Sequence, residues 1–474
     1  MITTTGRERD LAAATLAAAV ASDEQQRLRQ IKKRLAYYHG EHPKQLPLDP
    51  TSPGDYDDNV AVNLCRVVVD AGVHALFGQD VELALDELDE EDENAEADDE
   101  QDWVDAWWRA NGGLLLGQRL AINGATAGIA AYKLAPRGAK HDPALPRIIV
   151  LDPSNVTVRH DPDDFERVVG YVIAWTAQGA DGKPVARRQL VDANEDAAGT
   201  ISSWTIVDQE SPAGAVWVTL GEEAWPWPFP PVDFCQNLPN PNEVWGLSDL
   251  EEDVLALQDA VNRVASMAAR SVRFYADPWV YASGTNPGAL QKRPGVMPVF
   301  TDPDAKLAAL DVRSDIAGSL DVLARFRDAL HEVSRVPEVT SGKLETAGAS
   351  SGVALSILYG PLIAKTETKR RTYGAMLEEM VRRARVVAGR VEDGRCVQLG
   401  WPEIVPGDPI AEREALLLDG QIGASKETRL ERLGYDAETE LARSAAEGAA
   451  GVERARAAFD SGASDPGGDP YPAA

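Results

Sequence analysis

The sequence predicts an α+β protein built around long helices, and three observations carry that expectation. Apolar residues recur at helical spacing as far as Ile122, and from Ala130 the period shortens to the alternation of strands. Beyond Val244, two stretches of about 25 residues each repeat apolar residues every three or four positions, enough for rods of about 37 Å. A third such stretch, from about Val353 to Arg390, follows a loop rich in Gly and Ser.

Taken in order, the first helix is amphipathic and ends near Tyr38, before Gly40 and a Pro-rich stretch. Asn59-Val-Ala-Val-Asn-Leu leads into a helix from Cys65 to Phe77, ended by Gly78. The acidic run from Glu87 to Asp105, with E-L-D-E-E-D-E-N-A-E-A-D-D-E at its heart, reads as a solvated loop or interaction face. Trp103, Trp107 and Trp108 follow at i, i+4 and i+5, one face of the next helix and core in character. Leu114 to Ile122 continues helically. Ala130 to Leu134, Arg147 to Leu151, Val156 to Arg159 and Val168 to Trp175 read as short strands, with more around Thr200 to Val207 and Ala215 to Leu220. Trp225-Pro-Trp-Pro-Phe-Pro-Pro reads as an extended connector, because its prolines lack donors.

The first long helix is expected to be capped by Ser248, with Asp249, Glu251, Glu252 and Asp253 at the end where the helix dipole favours negative charge. Leu250, Val254, Leu257, Val261, Val264 and Ala268 repeat 4-3-4-3-4, a heptad seam. Pro278 stops it, and the residues up to Val312 read as a small β excursion. The second long helix, Ser314 to Val336, sets Ile316, Leu320, Leu323, Phe326, Leu330 and Val333 on one side and ends at Pro337. In the third, Pro361 predicts a kink near Gly360, and the second half is basic, with Lys365, Lys369, Arg370, Arg371, Arg382, Arg383, Arg385 and Arg390. Two more amphipathic stretches follow Ala411, and the last residues have the composition of a disordered tail.

Composition narrows the function classes. A chain of 474 residues has room for about three domains, and its 44% apolar share permits a sizeable core. No run approaches the ~18 apolar residues of a membrane span, and Leu11 to Ala21 reads as helix rather than signal peptide because it lacks a basic leader. Cys65, Cys235 and Cys396 stand alone, which predicts neither a disulfide framework nor a zinc site and fits a reducing cytoplasm. The formal charge of -29 argues against a sequence-reading DNA binder, while leaving room for a protein that lets DNA slide past.

One segment invites a catalytic interpretation and fails it. Pro337 to Gly360 contains Gly342-Lys343 and then Gly348-Ala-Ser350-Ser-Gly352, a G-x-S-x-G match. A phosphate loop needs Gly five positions before Gly342 and a hydroxyl after the lysine, and here those places hold Pro337 and Leu344. A nucleophile elbow needs a buried strand before Ser350 and a histidine after it, but the preceding residues are polar and the last histidine is His331. His39 and His42 form the one close histidine pair, in a loop, and no cofactor or metal is expected. A mobile loop joined to the third helix remains.

The order of these parts resembles the portal proteins, or head-to-tail connectors, of tailed bacteriophages, especially the siphophage type. Four pieces carry the resemblance: Tyr37-Tyr-His-Gly; Asn63 to Val81; Gly246-Leu-Ser-Asp-Leu-Glu-Glu-Asp-Val with Leu257-Gln-Asp-Ala-Val-Asn; and Ser351-Gly-Val-Ala-Leu-Ser-Ile-Leu-Tyr-Gly-Pro-Leu with Lys365 and Lys369. It implies a portal fold with an N-terminal helical arm over 1–27, a mixed α/β wing over 28–245 joined by part of 353–430, and stem helices over 246–274 and 313–336. A β-containing clip would span 275–312, a tunnel loop 337–352, a kinked tunnel helix 353–390, a helical crown 391–460 and a disordered tail 461–474. The implied assembly is a ring, typically a dodecamer, at one capsid vertex of the virion, assembled in the host bacterial cytoplasm. Double-stranded DNA would pass through without sequence recognition, and the partners would be the terminase large subunit, a head-tail adaptor, the major capsid protein and a scaffold, with no membrane.

The resemblance assigns Ser341, Lys343, Glu345, Ser350 and Ser351 to the DNA-facing loop, with Lys343 towards the lumen. It assigns Trp279, Tyr281, Lys292 and Arg293 to partner contacts on the clip, and Leu250, Val254, Leu257, Val261 and Val264 to stem packing. The basic residues from Arg382 to Arg390 are expected either to pair with a neighbouring subunit's acidic run or to form a solvated face. The portal of a gene transfer agent or defective prophage particle would look the same from sequence. A serine hydrolase using Ser350 is the alternative from a different class.

Overall fold

The computed structural model describes residues 24–47, 57–86, 96–164, 167–178, 184–197, 199–211, 217–241, 243–276, 280–283, 304, 306–309, 316–338, 352–390, 395–404 and parts of 416–452. The chain divides into a unit spanning Met1–Ile404 and a smaller one spanning Val405–Ala474.

In the larger unit, helix α1 (24–39) precedes α2 (Leu64–Phe77), whose first turn is capped by Asn63 accepting from the Arg66 N–H at 3.0 Å. Strand β1 (Glu82–Leu85) is followed by α3 (Glu96–Ala110) and α4 (Leu114–Ala127). Helix α3 starts inside the acidic run, so part of that run is helical. Its Trp103, Trp107 and Trp108 are buried, the first two stacked with centroids 6.2 Å apart, and the Trp107 indole donates to the Pro146 carbonyl at 3.0 Å. Helix α4 closes on Gly128 in the left-handed region, φ 89°, and β2 (Ile129–Ala135) leaves at once.

Strands β3 (Arg147–Leu151), β4 (Val156–His160), β5 (Val168–Gln178), β6 (Pro184–Glu195), β7 (Ile201–Ser211), β8 (Val218–Trp225) and β9 (Val232–Gln236) complete the β region. They form an antiparallel meander, β4-β5-β6-β7-β8, and a three-stranded sheet, β3-β2-β9. Trp225, read as the start of a connector, closes β8 and is buried, its indole donating to the Phe229 carbonyl at 2.8 Å.

The long helices are α5 (Glu252–Ala276), α6 (Ile316–Ser334) and α7 (Gly352–Val387). Between α5 and α6, strands β10 (Val280–Ser283) and β11 (Lys306–Ala309) pair antiparallel, Val280 opposite Ala309 and Ser283 opposite Lys306. Helix α6 stops where Arg335 turns to φ 59° ahead of Pro337. Helix α7 runs through Pro361, although the ring nitrogen cannot donate to the preceding turn. A last strand, β12 (Val397–Gly400), pairs with β1 and ties the end of this unit to its beginning. In the smaller unit, a helix over Lys426–Arg432 is capped by Ser425, whose hydroxyl accepts the Thr428 N–H at 3.1 Å.

Candidate functional site: a buried charged joint at the root of the long helices

Ser248 does not cap α5, which begins four residues later at Glu252. Its hydroxyl instead donates to the Ala125 and Thr126 carbonyls at the end of α4, at 2.7 and 3.0 Å, and accepts the Leu250 N–H at 2.9 Å. These are carbonyls that a helix C-terminus leaves without partners, and the Asp249 N–H also reaches Ala125, at 2.8 Å. The loop ahead of α5 is therefore fastened across the end of α4. That fixes the Asp249 carboxylate in the interior, and its place here is not the one expected, on the first turn of the helix.

Two ammonium groups from α7 meet that carboxylate. Lys369 Nζ lies 2.6 Å from Asp249 Oδ2, and Lys365 Nζ lies 3.2 Å from Oδ1; all three side chains are at most 5% exposed. Lys365 also donates to the Ser334 carbonyl at 3.0 Å, the last residue of α6, where the helix dipole offers partial negative charge. Asn237 completes the cluster, donating to Asp249 Oδ1 at 3.1 Å and accepting the Tyr373 hydroxyl at 3.2 Å. Gly72 of α2 makes room: a Cβ there would sit 3.2 Å from Asp249 Oδ2. One carboxylate, two ammonium groups and one helix terminus thus join α2, α4, α5, α6 and α7.

The charges bias one another strongly. Burial alone would raise the Asp249 carboxyl, but Lys365 and Lys369 outweigh it and hold it at about 2. Burial pushes Lys369 down to about 8, against the pull of Asp249. Between pH 8 and 10.5 the unfolded chain keeps a proton on this lysine that the folded chain has released, so stability gained from this group rises with pH. The stability of the wild type minus that of Lys369→Met should therefore climb across that window, by at most about 1.4 kcal/mol per pH unit. Urea unfolding at pH 7, 8, 9 and 10 measures it, and a flat or falling difference would contradict the assignment.

A second set of ions holds the far end of α7. Arg385 and Arg390 reach Glu100 of α3 at 3.3 and 2.7 Å, and Arg383 reaches Asp233 at 3.1 Å and Glu379 at 2.6 Å. The basic stretch is thus buried at Arg383 and Arg385, while Arg382, beside Glu379, keeps 45% of its side chain exposed. It is paired within the subunit, in part with the subunit's own acidic run.

Of the residues singled out from sequence, Ser341, Lys343, Glu345, Ser350 and Ser351 lie outside the described residues, as do Trp279, Lys292 and Arg293. Tyr281 is in β10, its backbone opposite Ala308. Leu250, Val254 and Val261 are buried, while Leu257 and Val264 are half-buried. The residues that sequence reasoning missed are Asp249 in its buried role and the polar stripe Gln258, Asn262 and Ser266 on α5, all buried. The i, i+4, i+8 spacing of that stripe beside the apolar seam was the available signal. Among the described residues no three His, Cys, Asp or Glu side chains converge as metal ligands, and no helix is long and apolar enough to cross a membrane.

The described fold is thus α+β, with two long helices on either side of the paired β10 and β11 and a third helix that meets them at a buried charged joint. The family model described as phage portal protein, SPP1 Gp6-like, matches residues 18–453, and the chain belongs to that family. It is thus a portal protein, a component of the virion, in a family whose role is structural. Among 85 matching chains of solved structures, one is from the virion of a native gene transfer agent particle, at 12% identity and TM-score 0.44, covering 78% of this chain and 89% of that one. Another is from the neck of an empty particle of that kind, at 13% identity and TM-score 0.46, covering 79% and 90%. No curated protein matches.

Proposed function

We propose that this chain is one subunit of a ring, dodecameric in the arrangement its family resemblance implies, that forms the double-stranded DNA channel at a single capsid vertex. The match of the portal family over 18–453 carries this reading. Helices α5 and α6 would be the stem, β10 and β11 part of the clip that docks the terminase large subunit and later the head-tail adaptor, and 337–352 the loop facing DNA. Lys343 repeated around a ring would touch phosphates without reading sequence, and the net charge of -29 would keep DNA from adhering elsewhere. The chain would perform no catalysis; the motor that drives DNA would be a separate ATPase. Contacts with the major capsid protein and a scaffold, and assembly in the host cytoplasm, belong to the same proposal.

Electron cryomicroscopy of the purified full chain tests it. The expected result is a ring with a central hole into which residues 340–351 project. A monomer, or a ring carrying that segment on its outer surface, would overturn the reading.

A further inference from the structure

The five-stranded meander and the three-stranded sheet meet over only part of their surfaces. Lys133 of β2 donates to Gln189 Oε1 of β6, and Gln189 Nε2 donates to Asp208 Oδ1 of β7 at 2.6 Å. Beside that contact lies a cleft of about 600 Å³. Ile149 and Leu151 of β3, Ile173 and Trp175 of β5 and Leu220 of β8 give it an apolar lining. Trp175 is 37% and Leu220 54% exposed, so two large apolar side chains stand open to water. The charges around the cleft are already engaged: besides the Lys133–Gln189–Asp208 chain, Arg187 reaches Glu210 at 2.8 Å and Arg188 donates to Gln209 at 2.8 Å. An occupant therefore gains more from covering the apolar lining than from an ion pair.

The described chain begins at the mouth of this cleft. Thr157 Oγ1 donates to Glu24 Oε1 at 3.0 Å, and Arg27 donates to the Val156 carbonyl at 2.7 Å, which fixes the start of α1 at the start of β4. Asn155, next to Val156, lines the cleft. Strand β4 begins at Val156, opposite Ile173, so among the described residues Ala174 to Gln178 of β5 pair on one side only, with β6. Trp175 lies in that unpaired stretch.

The segment just before α1 suits the cleft in composition and length. Leu11 to Ser22 reads L-A-A-A-T-L-A-A-A-V-A-S, and up to Ala21 only Thr15 is polar. A helix of this sequence has no polar face to leave in water and must be covered. Ala13, Leu16, Ala17 and Val20 fall at i, i+3, i+4 and i+7, one face of it. As helix the segment measures about 18 Å, and the four strand spacings from β4 to β8 measure about 19 Å. Charges bound the stretch on both sides, Arg7-Glu-Arg-Asp10 before it and Asp23-Glu24 after it, so they would clear the two edges of the sheet.

We propose that residues 11–22 lie as a helix in this cleft, crossing the meander of their own chain from β4 to β8, with Trp175 and Leu220 as their apolar seats. Asp23 is the one residue between this segment and the fixed Glu24, which is why the arm belongs to the same chain and not to a second copy. The inference rests on the fold and is independent of the channel proposal.

Cysteine chemistry on the full chain tests it. In a Leu220→Cys variant, adding Leu16→Asp places a carboxylate in the apolar cleft, and the reaction of Cys at 220 with a bulky maleimide should speed up by about tenfold or more. The exposed native Cys396 should react at an unchanged rate, and Cys65 and Cys235 are buried. In the pair Leu11→Cys with Leu220→Cys, oxidation should join the two positions within one chain, whereas Ala21→Cys with Leu220→Cys should not. A labelling rate indifferent to Leu16→Asp would mean that the arm does not cover the cleft and would overturn the proposal. A disulfide joining two chains, or equal yields from Leu11→Cys and Ala21→Cys, would overturn it as well. Should Leu220→Cys not fold, Val218→Cys, on the same strand and 52% exposed in the parent residue, serves for both comparisons.

Discussion

Asp249→Ala should cost about 4 kcal/mol of stability at pH 7, the range found when one member of a buried ion pair is removed. The loss comes less from the missing attraction than from what stays behind. Lys365 and Lys369 remain at most 5% exposed, and among the described residues only Lys365 has another partner, the Ser334 carbonyl. Lys369 is already driven down to about 8, so without Asp249 it would shed its proton near neutral pH, and that release caps the cost. Neutralising all three positions together should behave differently. Asp249→Asn with Lys365→Met and Lys369→Met removes the charges but keeps the volume and the Asn237 contact, and buried ion clusters replaced in this way are often near neutral in stability. Urea midpoints of the single and triple variants decide the matter. A single-variant loss under about 1 kcal/mol, or a triple variant as unstable as the single, would show that charge is not what makes this joint costly to disturb.

The long helices and the core were legible because their signals are local and periodic. Gly78 after Phe77, the spacing of the three tryptophans and Pro337 after α6 each act within a turn or two of the chain. Strands were legible where apolar residues run together, as in β2, β3 and β5. Strand β6 was not, because Arg187, Arg188, Gln189, Asp192 and Asn194 make it polar; it earns its place in the sheet by ladders to β5 and β7 on both sides. Strands β1 and β12 are four residues each and pair across more than three hundred positions, so neither carries its own signal.

The joint lies between these cases. Both of its halves, Gly246-Leu-Ser-Asp and Lys365 with Lys369, stood out in the sequence, yet nothing in either half says that they touch. Asp249 was assigned to the helix dipole because three acidic neighbours follow it. Only the fold separates the buried Asp249 from Glu252 and Asp253, which are exposed on the first turn of α5. The basic end of α7 taught the same lesson, since its partner Glu100 sits in a run of acids that composition alone describes as solvated.

Gly246→Ala should destabilise the fold by about 3 kcal/mol or more, as overpacking against atoms that cannot yield does. A Cβ at Gly246 would lie 2.6 Å from the Gly128 carbonyl oxygen and 2.7 Å from that of Leu238. Gly128 faces it with a φ of 89°, and a Cβ there would lie 2.2 Å from the Gly246 carbonyl oxygen. Two backbones therefore pass each other closely, one leaving α4 and one approaching α5, and this contact sets Ser248 on the α4 carbonyls and Asp249 inside the joint. Gly138 supplies the comparison: it too has a positive φ, 96°, but open space around it, so Gly138→Ala should cost only the left-handed strain of about 1 kcal/mol. Gly128→Ala carries both penalties and should be the worst of the three. Because Gly128 and Gly246 share one contact, the double variant should lose less than the sum of the singles. Equal midpoints for Gly246→Ala and Gly138→Ala would mean that the backbones can part at little cost, and the joint would then owe its geometry to its charges alone.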